Sequence, residues 1–402
     1  MSTRQILKSI SAAGAALATG LLAAPAFASQ PEDKGIAFQD PATPLAEEVH
    51  FFHNVILMPV ITIISLFVLA LLVRVAVRYN RKSNPVASKF SHNTLIEIIW
   101  TAVPIVILLY IALFSFDLLY KEDVIPDGKR FAFEGDGQTV EYVIENDFPK
   151  SRRATRPGHI DVYKVNLTNE ARVKLAYRDD YRLQNLGDPD VIVTLTEAPR
   201  PNEGIEIVAG RSRTGVNPFW GEDRSVIVTA PSLTIKASGR QWGWNYSYPE
   251  FGDFEIASDL LPQDQVSDPA LYLLATTTNV MVPEGETVRI ITTAIDVIHA
   301  WTIPAFAIKV DAVPGRLNET WFQAPEYKPN GVNKYYGQCS EICGLNHAYM
   351  PITVEVLPRG EFEAWVDEQR DVFGMEPMFA EVIDETRLAE TAGTESAPTA
   401  QE

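Results

Sequence analysis

The chain has 402 residues, an apolar fraction of 46%, a formal net charge of -18 and two cysteines. Its length allows two or three domains, or one domain with membrane and additional segments, and two cysteines are too few for a disulfide-stabilised scaffold. The acidic balance argues against a nucleic-acid partner, which requires a basic surface, and suits a basic protein partner attracted by electrostatic steering.

The N-terminus has the pattern of an export signal. Arg4 and Lys8 form a positive start, an apolar Ala-rich run follows from Ile10 to Leu22, and Ala26-Phe27-Ala28 is a small-x-small cleavage site. This pattern predicts a signal peptide at residues 1–28. The alternative is an uncleaved anchor, for which the apolar run is short.

Two stronger apolar runs follow, Val55 to Val73 and Ile98 to Phe116, each without a charged residue over 19 positions. At 1.5 Å per residue each is about 28 Å long, close to the thickness of a membrane core. Residues 29–122 are therefore predicted to form an N-terminal segment with a two-helix transmembrane hairpin, at about 53–78 and 95–119. A buried helical hairpin of a soluble protein is the alternative.

The connector between the runs is basic, which predicts that it is cytoplasmic and that the rest of the mature chain lies outside. Its basic residues are Arg74, Arg78, Arg81, Lys82 and Lys89. Glu97 is the only acid between this connector and the second run. An ionisable residue at the end of a membrane helix is a functional candidate, although an interfacial acid fits the sequence equally well.

Three segments follow the hairpin. Residues 123–231 combine strand-like runs with Pro- and Gly-rich pieces, which predicts an inserted β-rich excursion. Residues 232–375 alternate short predicted strands, among them Leu271 to Val282 and His299 to Val310, with turns and end in a helix at Gly360 to Val372, the pattern of a Greek-key sandwich or barrel. Residues 376–402 are acidic and low in complexity, and we expect a disordered tail.

One stretch of the barrel segment, Tyr335 to Met350, contains both cysteines, Cys339 and Cys343, together with His347 and Met350. Thiolate, imidazole and thioether groups are ligands for a soft metal, copper above all. His299 is the best candidate for a further ligand, supplied by a neighbouring strand connection. A mononuclear zinc site and a disulfide between the cysteines remain alternatives at this point.

Several motifs in the right order then resemble one family, cytochrome c oxidase subunit II. The resemblance covers roughly residues 40–122 and 232–370. The motifs are Tyr336 to Gly344 with His347 and Met350, Asp296 to Trp301, Asp311 to Arg316, Gly239 to Trp242, and Ser91 to Thr94 with Glu97 and Trp100.

The resemblance implies a membrane-anchored all-β fold, in which two transmembrane helices precede a cupredoxin-like Greek-key barrel. It also implies a binuclear copper centre, CuA, with six ligand positions. Cys339 and Cys343 would bridge two copper ions, His299 and His347 would each bind one, Met350 would bind one weakly, and the backbone carbonyl of Glu341 would bind the other. The Glu341 side chain would contribute to a magnesium or manganese site shared with subunit I.

Further roles follow from the same resemblance. Trp242 matches the aromatic at which the electron from cytochrome c arrives, and Glu97 matches an acid at the mouth of a proton channel. Because cytochrome c is basic, the face around Trp242 is expected to be acidic. The candidate docking acids are Glu250, Asp253, Glu255, Asp259 and Asp296.

The family also implies partners: cytochrome c, subunit I with haem a and haem a3-CuB, subunit III and membrane lipid. The expected location is the bacterial inner membrane, as a multi-pass protein with the copper domain in the periplasm. The chain would be one subunit of a proton-translocating cytochrome c oxidase. A quinol oxidase subunit and a membrane-anchored copper-delivery module are the rival functions.

Two departures from the family pattern stand out. Gly243 and Ser247 occupy positions where the family usually has an aromatic and an acid, which affects the expected docking of cytochrome c. The excursion at 123–231 replaces a normally short connection, and it could contact another subunit, shield the donor face around Trp242, or be inert.

Overall fold

The structure, a computed structural model, describes residues 30–379 apart from 33–34, 87–88, 90, 147, 149–152, 169–170 and 215–224. The predicted signal peptide at 1–28 and the predicted tail beyond residue 379 lie outside the described residues.

Two long apolar helices form the anchor. α1 (Pro44–Phe51) continues through a π-helical turn (Phe52–Leu57) into α2 (Met58–Arg78), and α3 spans Thr94–Asp123. The outer part of this hairpin is tied to the barrel, because the Thr43 hydroxyl donates to the Phe306 carbonyl (3.2 Å). Elsewhere the apolar side chains of α2 and α3 are largely exposed, as expected of lipid-facing surfaces.

The barrel segment contains ten strands and one closing helix, α4 (Arg359–Val372). The strands are β10 (Leu233–Arg240), β11 (Gly243–Tyr248), β12 (Phe254–Ser258), β13 (Val280–Pro283), β14 (Thr287–Ala294), β15 (His299–Ile303), β16 (Ile308–Ala312), β17 (Asn318–Gln323), β18 (Lys334–Gln338) and β19 (Pro351–Leu357). They form a five-stranded sheet in the order β12-β11-β10-β14-β17, a three-stranded sheet in the order β13-β19-β18, and the pair β15-β16. One hydrophobic core, with Trp301, Phe306 and Phe322 fully buried, lies between these sheets.

Two predicted strands are shorter in the structure than the sequence suggested. The run from Leu271 to Val282 contributes only its end to β13, and a 3-10 turn (Pro269–Leu271) lies before it. The run from His299 to Val310 divides into β15 and β16, because a turn at Pro304–Phe306 interrupts it. Proline favours such a turn because it fixes φ and removes a backbone donor.

The excursion folds into a second β-sandwich, which we call the inserted domain. Its strands are β1 (Lys129–Glu134), β2 (Glu141–Glu145), β3 (Ile160–Asn166), β4 (Arg172–Lys174), β5 (Tyr181–Gln184), β6 (Asp190–Leu195), β7 (Glu203–Ala209), β8 (Arg213–Thr214) and β9 (Val226–Ile227). A four-stranded sheet, β1-β7-β3-β4, and a three-stranded sheet, β2-β6-β5, share a separate core. Buried residues of β2, β3, β6 and β7 supply most of that core, so this domain has its own hydrophobic stabilisation.

The inserted domain meets the barrel at one end. The Thr229 hydroxyl lies 3.2 Å from that of Thr287, and the Ser232 N–H donates to the Thr287 carbonyl (3.0 Å). Thr287 begins β14, whereas Ala294, at the other end of β14, forms a bridge with Pro314 and lies beside Gly239. Since β14 has eight residues, the two ends are roughly 23 Å apart.

Candidate metal centre

Strand ends bring the predicted metal ligands together. β15 begins with His299, β18 leads into Cys339, and β19 begins directly after Met350. The backbone N–H of Cys339 donates to the Met350 carbonyl (3.0 Å) and closes residues 339–350 into a loop, here called the sulfur loop. The pairing of β18 with β19 therefore fixes both ends of this loop.

The two sulfurs form the centre of the cluster. Sγ of Cys339 lies 3.8 Å from Sγ of Cys343. Nδ1 of His299 lies 3.8 Å from the Cys339 sulfur, and Nδ1 of His347 lies 3.5 Å from the Cys343 sulfur. The carbonyl oxygen of Glu341 lies 3.3 Å from the Cys339 sulfur. Each sulfur thus has its own imidazole neighbour.

The cysteines are not joined. Their 3.8 Å separation is far longer than the ~2.05 Å of a disulfide bond, and both thiols are free and buried. Met350 is fully buried in the same core as both cysteines. The donor set therefore consists of two thiols, two imidazoles, a nearby backbone carbonyl and a buried thioether, which fits a soft metal.

The two imidazoles contact different sulfurs. The ligand atoms of His299, Cys339 and Cys343 all lie within 4.8 Å of one another, and His347 does not join this group. In a tetrahedral zinc site with bonds of roughly 2.0–2.3 Å, all four ligand atoms would be within about 4 Å of each other. The donor atoms of His299, Cys339, Cys343 and His347 therefore do not form one compact group of four in this structure.

Asp296 fixes the orientation of His299. Nε2 of His299 donates to a carboxylate oxygen of Asp296 (2.9 Å), so Nδ1 is the nitrogen available to a metal. The same carboxylate accepts the backbone N–H groups of Gln241 (2.6 Å) and Val297 (2.7 Å). Burial would raise the pKa of Asp296, but these hydrogen bonds outweigh burial and lower it, which keeps Asp296 anionic.

Close packing limits the movement of the His299 ring. A Cβ on Gly239 would lie 2.8 Å from Cδ2 of His299 and 3.0 Å from Cγ, both too short for a normal contact. Glycine at this position of β10 therefore leaves the space that the fully buried His299 ring occupies.

The two thiols do not have equivalent protonation properties. Burial alone would raise the pKa of Cys339, but hydrogen bonds with His299 and the backbone together lower it. Burial and the negative charge of Cys339 raise the pKa of Cys343. Before a metal binds, the first thiolate forms easily and the second does not, and a bound cation would displace the remaining proton.

Trp242 lies directly against the sulfur loop. Its indole N–H donates to the Cys343 carbonyl (3.2 Å), and the Gln241 side-chain amide donates to the same oxygen (2.8 Å). Gly344 has a φ of +117°, and a Cβ there would come within 3.3 Å of the indole. The half-buried indole thus connects the protein surface to the backbone of a sulfur ligand.

The predicted docking acids do not all surround Trp242. Asp259 lies at the Trp242 end of the β11–β12 hairpin, where it forms an ion pair with Arg240 (2.7 Å). Glu250 and Asp253 lie in the turn at the opposite end, about 20 Å away along β11. The expectation of one compact acidic face is therefore wrong for Glu250 and Asp253, because sequence proximity does not show which end of a hairpin a residue occupies.

The other two acids have specific contacts. Glu255 accepts a hydrogen bond from the Asn245 amide (2.9 Å) on the exposed side of the hairpin. Asp296 is already engaged by His299, so its first structural role is at the metal site and not at the surface. Sequence reasoning missed that role, although the Asp-x-x-His spacing of Asp296 and His299 was a usable signal.

Glu97 is not near the metal site. It lies in the first turn of α3, where an acid is favoured by the helix dipole, and Asn93 caps this helix by accepting the Ile96 N–H (3.2 Å). The sulfur loop lies beyond the opposite end of α3. The helix alone separates Glu97 from Asp123 by about 39 Å.

Comparisons with known proteins agree with this architecture. Residues 31–118 match the family model of the cytochrome c oxidase subunit II transmembrane domain, and residues 233–357 match that of its periplasmic domain. Neither match includes residues 119–232, which contain the inserted domain.

Two similar proteins match most of the chain, and one solved structure matches its periplasmic part. The probable cytochrome c oxidase subunit 2 of Rickettsia bellii is 32% identical over 86% of this chain and 88% of its own length. Cytochrome c oxidase subunit 2 of Cereibacter sphaeroides is 30% identical over 88% of this chain and 89% of its own length. The crystal structure of the periplasmic domain of subunit II of cytochrome oxidase from Bradyrhizobium japonicum is 44% identical, with a TM-score of 0.32, and covers 36% of this chain and 99% of that chain.

These matches have one consistent explanation, since both family models lie in the same order as the two helices and the barrel of this structure. The chain is a membrane protein with a periplasmic cupredoxin-like domain, and it belongs to the cytochrome c oxidase subunit II family.

Proposed function

We propose that this chain accepts electrons from cytochrome c at a CuA centre and passes them to haem a of subunit I, where oxygen is reduced to water and protons are pumped. The observation that carries this proposal is the pair of sulfurs 3.8 Å apart, each with its own imidazole neighbour. The chain would act as one subunit of a cytochrome c oxidase and not as an enzyme by itself.

The ligand assignment follows from this arrangement. Cys339 and Cys343 would bridge two copper ions, with His299 and His347 binding one each through Nδ1. The Glu341 carbonyl and the Met350 sulfur would be the weaker ligands. When bound, the copper pair supplies one-electron redox chemistry with little change in geometry.

The surrounding residues serve this chemistry by restricting movement. Asp296 holds the tautomer and orientation of His299, while Gln241 and Trp242 hold the Cys343 carbonyl. A ligand frame that changes little between oxidation states favours rapid electron transfer. The protein contributes this frame through hydrogen bonds that exist independently of the metal.

The proposal can be tested on the full chain in detergent. After loading with copper, its EPR spectrum should show an electron delocalised over two copper ions. A single-copper spectrum or a zinc-only product would contradict a binuclear centre. A membrane-anchored copper-delivery module, the main rival, would bind copper but would not be reduced rapidly by cytochrome c.

Trp242 is proposed as the point of electron uptake, because its indole contacts both the surface and the Cys343 carbonyl. A Trp242→Phe substitution should slow reduction of the copper centre by cytochrome c at least about tenfold, since both the indole and its hydrogen bond are lost. Stopped-flow mixing with reduced cytochrome c measures this rate.

A Gln241→Leu variant is the matched control, because it removes the other hydrogen bond to the same carbonyl and keeps the indole. It should retain most of the uptake rate. A Trp242→Phe protein with the wild-type rate would remove Trp242 from the electron path.

The surface around the sulfur loop suits a protein partner. Exposed apolar side chains border the loop, and such a patch on a membrane protein's aqueous domain commonly marks an interaction site. They are Ile295, Ile298, Ile342, Leu345 and Tyr349. Asp259 lies at the Trp242 end of the β11–β12 hairpin, next to Gly243, and the chain as a whole carries a charge of -18.

Because exposed charges are screened by salt, the rate of cytochrome c oxidation by the assembled oxidase should fall as ionic strength rises. An Asp259→Asn variant should show a shallower salt dependence, and a charge-matched Glu250→Gln variant, altered at the far end of the hairpin, should not. Steady-state rates over a salt series provide the measurement. A wild-type rate that is independent of salt would contradict electrostatic docking.

Other assignments complete the proposed role. The Glu341 side chain would help to bind magnesium or manganese shared with subunit I, and Glu97 would lie at a proton-channel mouth of that subunit. Haem a and haem a3-CuB would belong to the partner subunit, with subunit III as a further partner. The protein would lie in the bacterial inner membrane after removal of residues 1–28.

A further inference from the structure

The inserted domain and the end of the membrane anchor together enclose a cavity of about 590 Å³. Asp117, Tyr120 and Lys121, in the last turns of α3, line one side. Arg156, Gly158, His159 and residues 211–213 of the inserted domain line the other. Since α3 crosses the membrane, this cavity lies where the helix leaves the lipid.

The barrel and the segment after β9 pack against the outer end of α3. Val228, which follows β9, is buried with Leu45 and Trp321 and packs against Leu118 of α3. The Trp321 indole N–H donates to the Lys121 carbonyl (3.0 Å). The position of the cavity relative to the membrane surface is therefore defined by packing and by a hydrogen bond. Tyr120, 65% exposed, is the kind of aromatic residue found at membrane interfaces.

The cavity is basic although the chain as a whole is acidic. Arg156, Arg211, Arg213 and Lys121 line it, whereas Asp117 is the only acidic lining residue among those that the structure describes. Arg213 is paired with Asp161 (3.2 Å), and Lys121 is paired with Glu48 (2.7 Å) and Asp117 (2.9 Å).

The positive charges converge on one point. The side chain of Arg156 forms no ion pair with the residues that the structure describes. Burial lowers the pKa of His159, and the charges of Arg211, Arg156 and Arg213 lower it further. A protein with a net charge of -18 therefore concentrates cations around His159, where an anion would relieve their mutual repulsion.

An apolar groove continues from the cavity toward the membrane. This second cavity, about 450 Å³, shares Asp117, Lys121 and Arg213 with the first. Glu48, which is paired with Lys121, also lines this groove, and the remaining walls are mainly apolar side chains of the two membrane helices, among them Ile56 and Phe114. A basic upper part above an apolar lower part, at the membrane boundary, matches one class of molecule: a lipid with an anionic headgroup.

We propose that the inserted domain and the outer end of the hairpin bind an anionic phospholipid, with its phosphate between Arg156 and Arg211 and an acyl chain in the groove beside Phe114. Polybasic surfaces next to membrane helices attract acidic lipids in this way. The inserted domain would thus anchor the aqueous part of the chain to the lipid surface at a defined height.

The test uses the assembled oxidase, delipidated in detergent and titrated with spin-labelled phosphatidylglycerol or phosphatidylcholine. Wild type should retain phosphatidylglycerol in preference to phosphatidylcholine. An Arg156→Gln/Arg211→Gln variant should lose one tightly held phosphatidylglycerol per complex, with a dissociation constant about 25-fold higher, because each basic residue contributes about fivefold.

Two variants serve as controls. Arg182→Gln/Lys328→Gln removes the same charge from exposed positions outside the cavity lining and should bind lipid as wild type does. Arg156→Lys/Arg211→Lys keeps the charge and should restore most of the binding. Lipid loss in the Arg156→Gln/Arg211→Gln variant would then be due to the lost charge and not to misfolding.

Three results would overturn the proposal. The Arg156→Gln/Arg211→Gln variant could retain phosphatidylglycerol at the wild-type level, as it would if a partner subunit covered the cavity. Wild type could show no preference between the two lipids. Inorganic phosphate could displace the labelled lipid completely at millimolar concentration, which would indicate a site for a free anion and not for a lipid.

Discussion

Replacing Cys343 with serine should eliminate the binuclear copper signal and reduce cytochrome c oxidation by the assembled oxidase at least about 100-fold. Loss of a residue that merely supports a metal ligand typically costs 10–100-fold, so loss of a bridging thiolate should cost no less. A hydroxyl is a poor ligand for a soft metal and would leave Cys339 with one sulfur partner fewer. EPR of the copper-loaded chain and turnover of the complex measure the two effects.

Ser340→Ala is the matched control, since it alters the sulfur loop between the same strands and removes no metal donor. Its backbone N–H still donates to the Ala300 carbonyl (3.1 Å), which should preserve the loop. The Ser340→Ala variant should retain the binuclear copper EPR signal and the wild-type rate of cytochrome c oxidation. If Cys343→Ser kept the delocalised two-copper spectrum, the bridging assignment would be incorrect.

Asp296→Ala should lower the affinity for copper about 10–100-fold, because His299 would lose the carboxylate that selects its tautomer and fixes its ring. The backbone N–H of Gln241 would also lose its acceptor, which should loosen the connection to Trp242. Competition with a copper chelator, followed optically, measures the affinity.

Asp259→Ala is the control that separates a change in copper affinity from a change in cytochrome c docking. Asp259 lies at the Trp242 end of the β11–β12 hairpin and pairs with Arg240, but it has no contact with His299. It should change the salt dependence of cytochrome c oxidation and leave copper affinity unaltered. Equal copper affinity in wild type and Asp296→Ala would mean that Asp296 acts only as a surface charge.

Much of the architecture could be predicted from local patterns. Two apolar runs long enough to cross a membrane predict helices, because backbone polar groups in lipid must be paired within the segment. The short β segments after Ser232 and the helix at Arg359–Val372 were likewise visible as periodic patterns. The ligand types between Cys339 and Met350 indicated a soft metal before any fold was known.

Several features depended on contacts between distant parts of the chain. The sequence of residues 123–231 predicted a β-rich excursion interrupted by Pro- and Gly-rich pieces. The packing of its two sheets shows that they share one core. Glu250 and Asp259 appeared equivalent in sequence, although the β11–β12 hairpin places them at opposite ends. The basic cavity joins residues from α3 with residues near 156 and 211, which no local pattern connects.

Side-chain type and hydrophobic period are local properties, and they were sufficient to predict a soft-metal donor set, the membrane anchor and the family. The arrangement of the donors came from the folded chain: one imidazole beside each sulfur, Asp296 behind His299, and Trp242 against the Cys343 carbonyl. The physical reason is that strand pairing brings β15, β18 and β19 together at one point. The longest of these contacts in sequence, between Trp242 and Cys343, joins residues 101 positions apart.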